Sequence, residues 1–201
     1  MSHNTSVAPM NLSLPSRLTV DEFLAWAVNQ PNEAGKLELL DGVVIVQQSR
    51  QWGHHKVKAA VFLALIDAIK TAGVPFYAAT DGPTVRIDSR TAFEPDALIA
   101  PLPEPEPTSL EVPNPVIVVE VLSPSTAQRD ATTKLKRYFE VPSVEHYPIL
   151  DWQDRAVTHH KRGASGTIET EVLSEGVLKL DPPGIEIPLA SLFGPAPTTA
   201  G

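Results

Sequence analysis

The chain has 201 residues, 42% of them hydrophobic, with 16 Lys+Arg against 24 Asp+Glu for a net charge of −8, and no cysteine. That length suits one domain with a core of its own. The lack of thiols excludes a disulfide scaffold, thiolate catalysis and Cys-ligated zinc, and the acidity argues against nucleic acid coating the whole surface.

Residues 1–18 contain no apolar targeting core and read as a flexible N-terminus, followed by a single domain over 19–193 and a flexible C-terminus over 194–201. The longest uncharged apolar run, Ala59 to Ile66, is far short of the ~20 residues a bilayer requires. The expectation is a soluble, cytoplasmic protein with no membrane partner. Thr19 with Glu22 forms a capping-box pattern that opens a helix carrying Phe23, Leu24, Ala27 and Val28, ended by Pro31 and Gly35. Lys36 to Leu40, Asp41-Gly42 and Val43 to Val46 predict a hairpin with Glu38 in its first strand. His54 to Lys70 reads as a long helix, apolar over a wide arc and therefore buried on much of its circumference.

Short strands follow at Phe76 to Thr80, Thr84 to Ile87 and Ala97 to Ala100. Pro101 to Pro115 holds six prolines in fifteen residues and must be an extended surface connection. Val116 to Leu122 is the clearest strand, stopped by Ser123-Pro124. Gln128 to Glu140 reads as a helix and Val144 to Leu150 as a strand in which Pro148 suits only an edge or a bulge. Ala156 to His160, Thr167 to Leu173 and Val177 to Leu180 complete the strands, and Pro182-Pro183 introduces a tail. The mixed order predicts an α/β (α+β) fold.

Glu120 stands inside a run that is apolar on both faces, as in a strand covered on both sides. A carboxylate there needs a cation, a donor or a metal, because burying it unpaired costs several kcal/mol. Asp96 opens the preceding strand. If the two strands pair antiparallel, Asp96 and Glu120 share one end of the sheet, where a divalent cation would offset their repulsion. Oxygen-only ligands suit Mg²⁺ or Mn²⁺. On the following helix Asp130, Lys134 and Tyr138 share a face.

Residues 94–121 carry six acids and no Lys or Arg, whereas 50–70 is net +3 and 123–140 net +2. The pattern fits an acidic metal patch flanked by basic helices that hold a polyanion. His54 at a helix start is an accessory candidate. His159 and His160 alternate across a strand and are expected at the surface.

Pro95-Asp96 followed by Glu120 in an apolar strand resembles the PD-(D/E)XK nuclease superfamily. The fuller string is similar to the Uma-type family of restriction-endonuclease-like proteins. It comprises Leu37-Glu38-Leu39-Leu40-Asp41-Gly42, His54, Thr80-Asp81-Gly82, Glu94-Pro95-Asp96, Val118 to Ser125, and Arg129-Asp130 with Lys134 and Tyr138. It spans roughly Thr19 to Arg162.

The resemblance implies a restriction-endonuclease-like core, with a central mixed sheet flanked by helices and extra hairpins, and metal-dependent hydrolysis of DNA phosphodiester bonds. Asp96, Glu120 and Glu38 would bind the metal, Lys134 would be the catalytic lysine, and Asp81 and Asp130 join His54 as accessory residues. The signature lysine position, two after Glu120, is occupied by Leu122; Lys134 is the substitute. DNA is the implied partner, and a homodimer fits the cutting of both strands. The alternatives are a module that kept the fold and lost the chemistry, for which Leu122 and the charge of −8 speak, and a two-carboxylate glycosidase, against which 6% aromatic content weighs. No phosphate loop, nucleophile elbow or HExxH is present.

Overall fold

A computed structural model of the chain describes residues 17–30, 35–47, 51–122 and 130–193. Helix α1 (Val20–Ala27) starts where the Thr19 hydroxyl accepts from the Glu22 amide and the Glu22 carboxylate accepts from the Thr19 amide, the reciprocal box read from the sequence. Strands β1 (Lys36–Leu40) and β2 (Val43–Gln47) form the expected hairpin. Asp41 (φ 49°) and Gly42 (φ 84°) both take the left-handed backbone that a tight two-residue turn demands. Helix α2 (Trp52–Ala72) ends on Gly73, at φ 64°.

The next strands are β3 (Phe76–Ala79), β4 (Val85–Arg86), β5 (Ala92–Phe93), β6 (Ala97–Pro101) and β7 (Ile117–Val121). A π-helical turn (Asp130–Lys134) leads into α3 (Leu135–Tyr138). Strands β8 (His146–Asp151), β9 (Ala156–Arg162), β10 (Ile168–Leu173), β11 (Val177–Leu180) and β12 (Ile185–Pro188) precede α4 (Leu189–Phe193).

The architecture is α+β. Six strands form a central mixed sheet in the order β10-β9-β8-β7-β6-β3, with β7 and β8 parallel and the other neighbours antiparallel. A second sheet runs β2-β1-β5-β4, and β11 pairs with β12. One face of the central sheet presents Ala97, Ile99, Ile117, Val119, Val121 and Leu150 to α2, the β11–β12 hairpin and α4. The other presents Leu98, Ala100, Val118, Tyr147 and Ile149 to Tyr138, Phe93 and Val85. Helix α1 covers the second sheet, with Val20 and Phe23 in one core cluster with Leu39 and Val44. Among the described residues no helix is long and apolar enough to cross a membrane.

Several expectations need correction. The helix expected over 128–140 is a π turn plus one α turn, and its first residues, with Ser123 to Arg129, lie outside the described residues. So do Pro31 and both expected tails apart from Arg17 and Leu18. The segment after Pro182-Pro183 is a strand and a helix, because Ile185, Ile187, Leu189 and Leu192 find a core face. Pro148 lies in a central strand. The β7–β8 ladder pairs Ile117 with His146 and resumes at Glu120 with Ile149, so pairing lapses around the residue that has no N–H while the register is kept.

His159 and His160 are buried, because β9 is an interior strand covered on both faces. His160 stacks on Tyr147. His159 stacks on His146 with Nε2 at 2.9 Å from His146 Nδ1, and its own Nδ1 is 3.0 Å from a Glu171 oxygen. The carboxylate only accepts, so His159 Nδ1–H donates to it and His146 Nδ1–H donates to His159 Nε2. Burial, then the neighbouring His159, pushes the His146 pKa down to about 4.

An unfolded histidine takes its proton near pH 6.5, so the unfolded chain binds more protons as pH falls from 6.5 to 4. Stability is expected to drop by up to about 3 kcal/mol over that window through this residue. Urea melts at pH 7 and pH 4.5 should show a larger loss for the wild type than for His146→Gln. Equal losses would refute the assignment.

Candidate active site

Strand register places the site. Ala97 pairs with Val119, and the Asp96 amide donates to the Val119 carbonyl at 2.9 Å. Asp96 therefore lies beside Glu120 at one end of the central sheet, and both are 2% exposed. On β1, Leu37 and Leu39 pack towards α1, so alternation turns Lys36, Glu38 and Leu40 towards the central sheet. Glu38 is thereby fully buried. The Trp152 ring occupies the space that a Cβ on Gly53 would need, coming within 2.3 Å of it, so the β8–β9 turn lies directly on the first turn of α2. His54 and Lys58, one turn apart on α2, both reach Asp96.

Three lysines interleave three carboxylates. Lys134 Nζ is 2.6 Å from Glu120 Oε1, 2.7 Å from Glu38 Oε1 and 5.4 Å from the centre of the Phe93 ring. Lys36 Nζ is 3.1 Å from Asp96 Oδ1 and 3.7 Å from Glu120 Oε2. Lys58 Nζ is 3.1 Å from Asp96 Oδ1 and also pairs with Asp81. Gln47 donates to Glu38 Oε2 at 2.5 Å, the Val121 amide to Asp96 Oδ2 at 2.8 Å, and the Tyr138 hydroxyl to Glu120 Oε1 at 3.2 Å. His54 Nε2 is 2.9 Å from the Val121 carbonyl, which can only accept, so this nitrogen carries the proton.

Burial opposes charge on Asp96, yet Lys36, His54, Lys58 and the Val121 amide hold its carboxyl well below the usual range. Burial also disfavours the Lys36 ammonium, but Glu120 and Asp96 outweigh it and raise that pKa. Tyr138 is pushed well up by burial and by Glu120, so its hydroxyl keeps its proton. Glu94, two residues before Asp96, is raised chiefly by burial.

The structure thus brings together Asp96, Glu120, Lys134, Glu38 and His54, with Asp81 on the rim at 62% side-chain exposure. The Asp130 side chain lies outside the described part. The acidic run does not form one patch. Glu104 lies near Tyr77 of β3, at the opposite end of β6 from Asp96, and Glu111 pairs with Arg86. Nor do the basic helices serve only as flanks, since Lys58 and Lys134 enter the site and Arg137 pairs with Asp41 and Glu140.

Lys36, Lys58 and Gln47 are members that the sequence reading did not single out. The Lys36-x-Glu38 alternation and the His54–Lys58 spacing carried that signal. Among the described residues, no group of three or more ligating side chains gathers as a metal cluster. Asp96 and Glu120 still fit a hard divalent cation. They are oxygen donors at one sheet end, and an ammonium already lies between Asp96 Oδ1 and Glu120 Oε2. Glu38, the expected third ligand, has its oxygens on Lys134 and Gln47.

A mixed sheet with paired carboxylates and a lysine at one end defines a nuclease-type class of fold. The chain superposes with a TM-score of 0.68 on a solved structure described as a putative nuclease belonging to DUF820 from Anabaena variabilis ATCC 29413, at 18% identity over 88% of this chain and 97% of that one. Residues 20–190 match the family Uma2, described as Putative restriction endonuclease. The chain belongs to the Uma2 family, and its function is nuclease-like. A comparison with curated proteins finds no match.

Proposed function

We propose that the protein is a divalent-cation-dependent endonuclease hydrolysing phosphodiester bonds in DNA. The observation that carries this reading is the buried Asp96–Glu120 pair at one sheet end with the Lys134 ammonium 2.6 Å from Glu120. Asp96 and Glu120 would hold Mg²⁺ or Mn²⁺. When bound, the cation polarises the scissile phosphate and makes water a better nucleophile. Glu38 and Gln47 position Lys134, whose ammonium stabilises charge developing on the phosphate. Tyr138 donates to Glu120 and orients it, and the His54 ring braces the Val121 carbonyl beside Asp96.

The test uses EDTA-stripped protein with supercoiled and linear DNA, with and without Mg²⁺ or Mn²⁺. Cleavage only with the cation is expected. No cleavage together with no divalent binding would overturn the reading, and DNA binding indifferent to EDTA would favour a non-catalytic module.

A further inference from the structure

The two oxygens of Glu120 face different lysines. Oε1 faces Lys134, which also binds Glu38 and has a fully buried side chain. Oε2 faces Lys36, whose ammonium spans to Asp96 Oδ1 and whose side chain is 11% exposed. A cation held by both carboxylates would enter the space between Glu120 Oε2 and Asp96 Oδ1. It is occupied by a group belonging to the chain.

We propose that Lys36 is the built-in occupant of the divalent cation's position: its ammonium holds Asp96 and Glu120 together in the metal-free protein and moves out when the cation enters. The inference rests on the metal-dependent reading of the site. Two carboxylates at one sheet end repel each other, and an ammonium between them removes that cost without a metal. A divalent ion and an ammonium cannot share the same few ångströms, so one displaces the other.

Lys36 reaches both Asp96 and Glu120, whereas Lys58 pairs with Asp96 and Asp81 and Lys134 with Glu120 and Glu38. Lys134 is enclosed by Glu38, Glu120 and Phe93. Lys36 comes from the first residue of β1 on a flexible four-carbon stem with part of its side chain open to solvent. Lys36 is thus a positioning residue that sets metal affinity.

The experiment measures Mn²⁺ affinity of EDTA-stripped wild type, Lys36→Met and Lys36→Gln by calorimetry, with thermal melts in EDTA and in Mn²⁺. Both variants are expected to bind Mn²⁺ at least roughly tenfold more tightly, because a competing charge has gone. They should melt lower than wild type in EDTA and recover in Mn²⁺. A variant that folds only with Mn²⁺ supports the proposal equally, as does Mn²⁺ binding by the variants alone. Folded variants whose affinity is unchanged or weaker overturn it, while the wild type's own Mn²⁺ binding leaves the metal reading standing. If neither wild type nor variants bind Mn²⁺, the metal reading fails and this inference with it.

Discussion

Asp96→Asn and Glu120→Gln are each expected to lower cation-dependent DNA cleavage by about 10³-fold, the equivalent of about 4 kcal/mol of lost transition-state charge stabilisation. Both substitutions keep the side-chain shape and remove one negative charge from the cation's position. An asparagine oxygen can still accept from the Val121 amide, which meets Asp96 Oδ2 at 2.8 Å, so the sheet end should keep its geometry. Mn²⁺ affinity should fall with the rate, which separates a lost ligand from a disturbed fold. The measurement is the initial rate on supercoiled DNA at saturating cation, with circular dichroism to confirm folding. Wild-type rates in either variant would mean that the observed cutting came from a contaminating nuclease, and the assignment of the pair would fail.

Lys134→Met is expected to destabilise the protein by roughly 3–5 kcal/mol, the usual cost of breaking a buried ion pair by removing one partner. Lys134 lies at 2.7 Å from Glu38 and 2.6 Å from Glu120, and all three side chains are at most 2% exposed. Without the ammonium two buried carboxylates face each other, and one must take up a proton or draw in water. The double variant Lys134→Met with Glu38→Gln removes one of those charges and should lose less than the single variant. Urea denaturation of the four proteins of this cycle measures the coupling. A loss below about 1 kcal/mol for Lys134→Met would place the lysine in a solvated site, since exposed pairs contribute that little.

Local chemistry made much of the scaffold readable. The Thr19–Glu22 box, the Asp41-Gly42 turn and the doubly covered run containing Glu120 each depend on neighbours within a few residues. The antiparallel pairing of β6 with β7 was also within reach, and with it the meeting of Asp96 and Glu120. Pro148 and the two histidines of β9 misled because proline and histidine usually mark edges and surfaces. Here strand order puts β8 and β9 inside a six-stranded sheet. Strand order depends on contacts far apart in the chain, and no local pattern reports it.

The absence of cysteine removes thiolate from any metal site, and the sequence alone put Asp96 and Glu120 at neighbouring strand ends and Glu38 in a hairpin, while Lys134 was pointed to by the family resemblance. The charge of −8 gave no hint that the site balances its acids internally. Only the tertiary structure brings Lys36 from β1 and Lys58 from α2 to the sheet end that Lys134 enters from the π turn. The physical reason is desolvation: a carboxylate buried to 2% exposure requires a partner, and which cation supplies it is decided by the packing of elements separated by up to 96 positions in the chain.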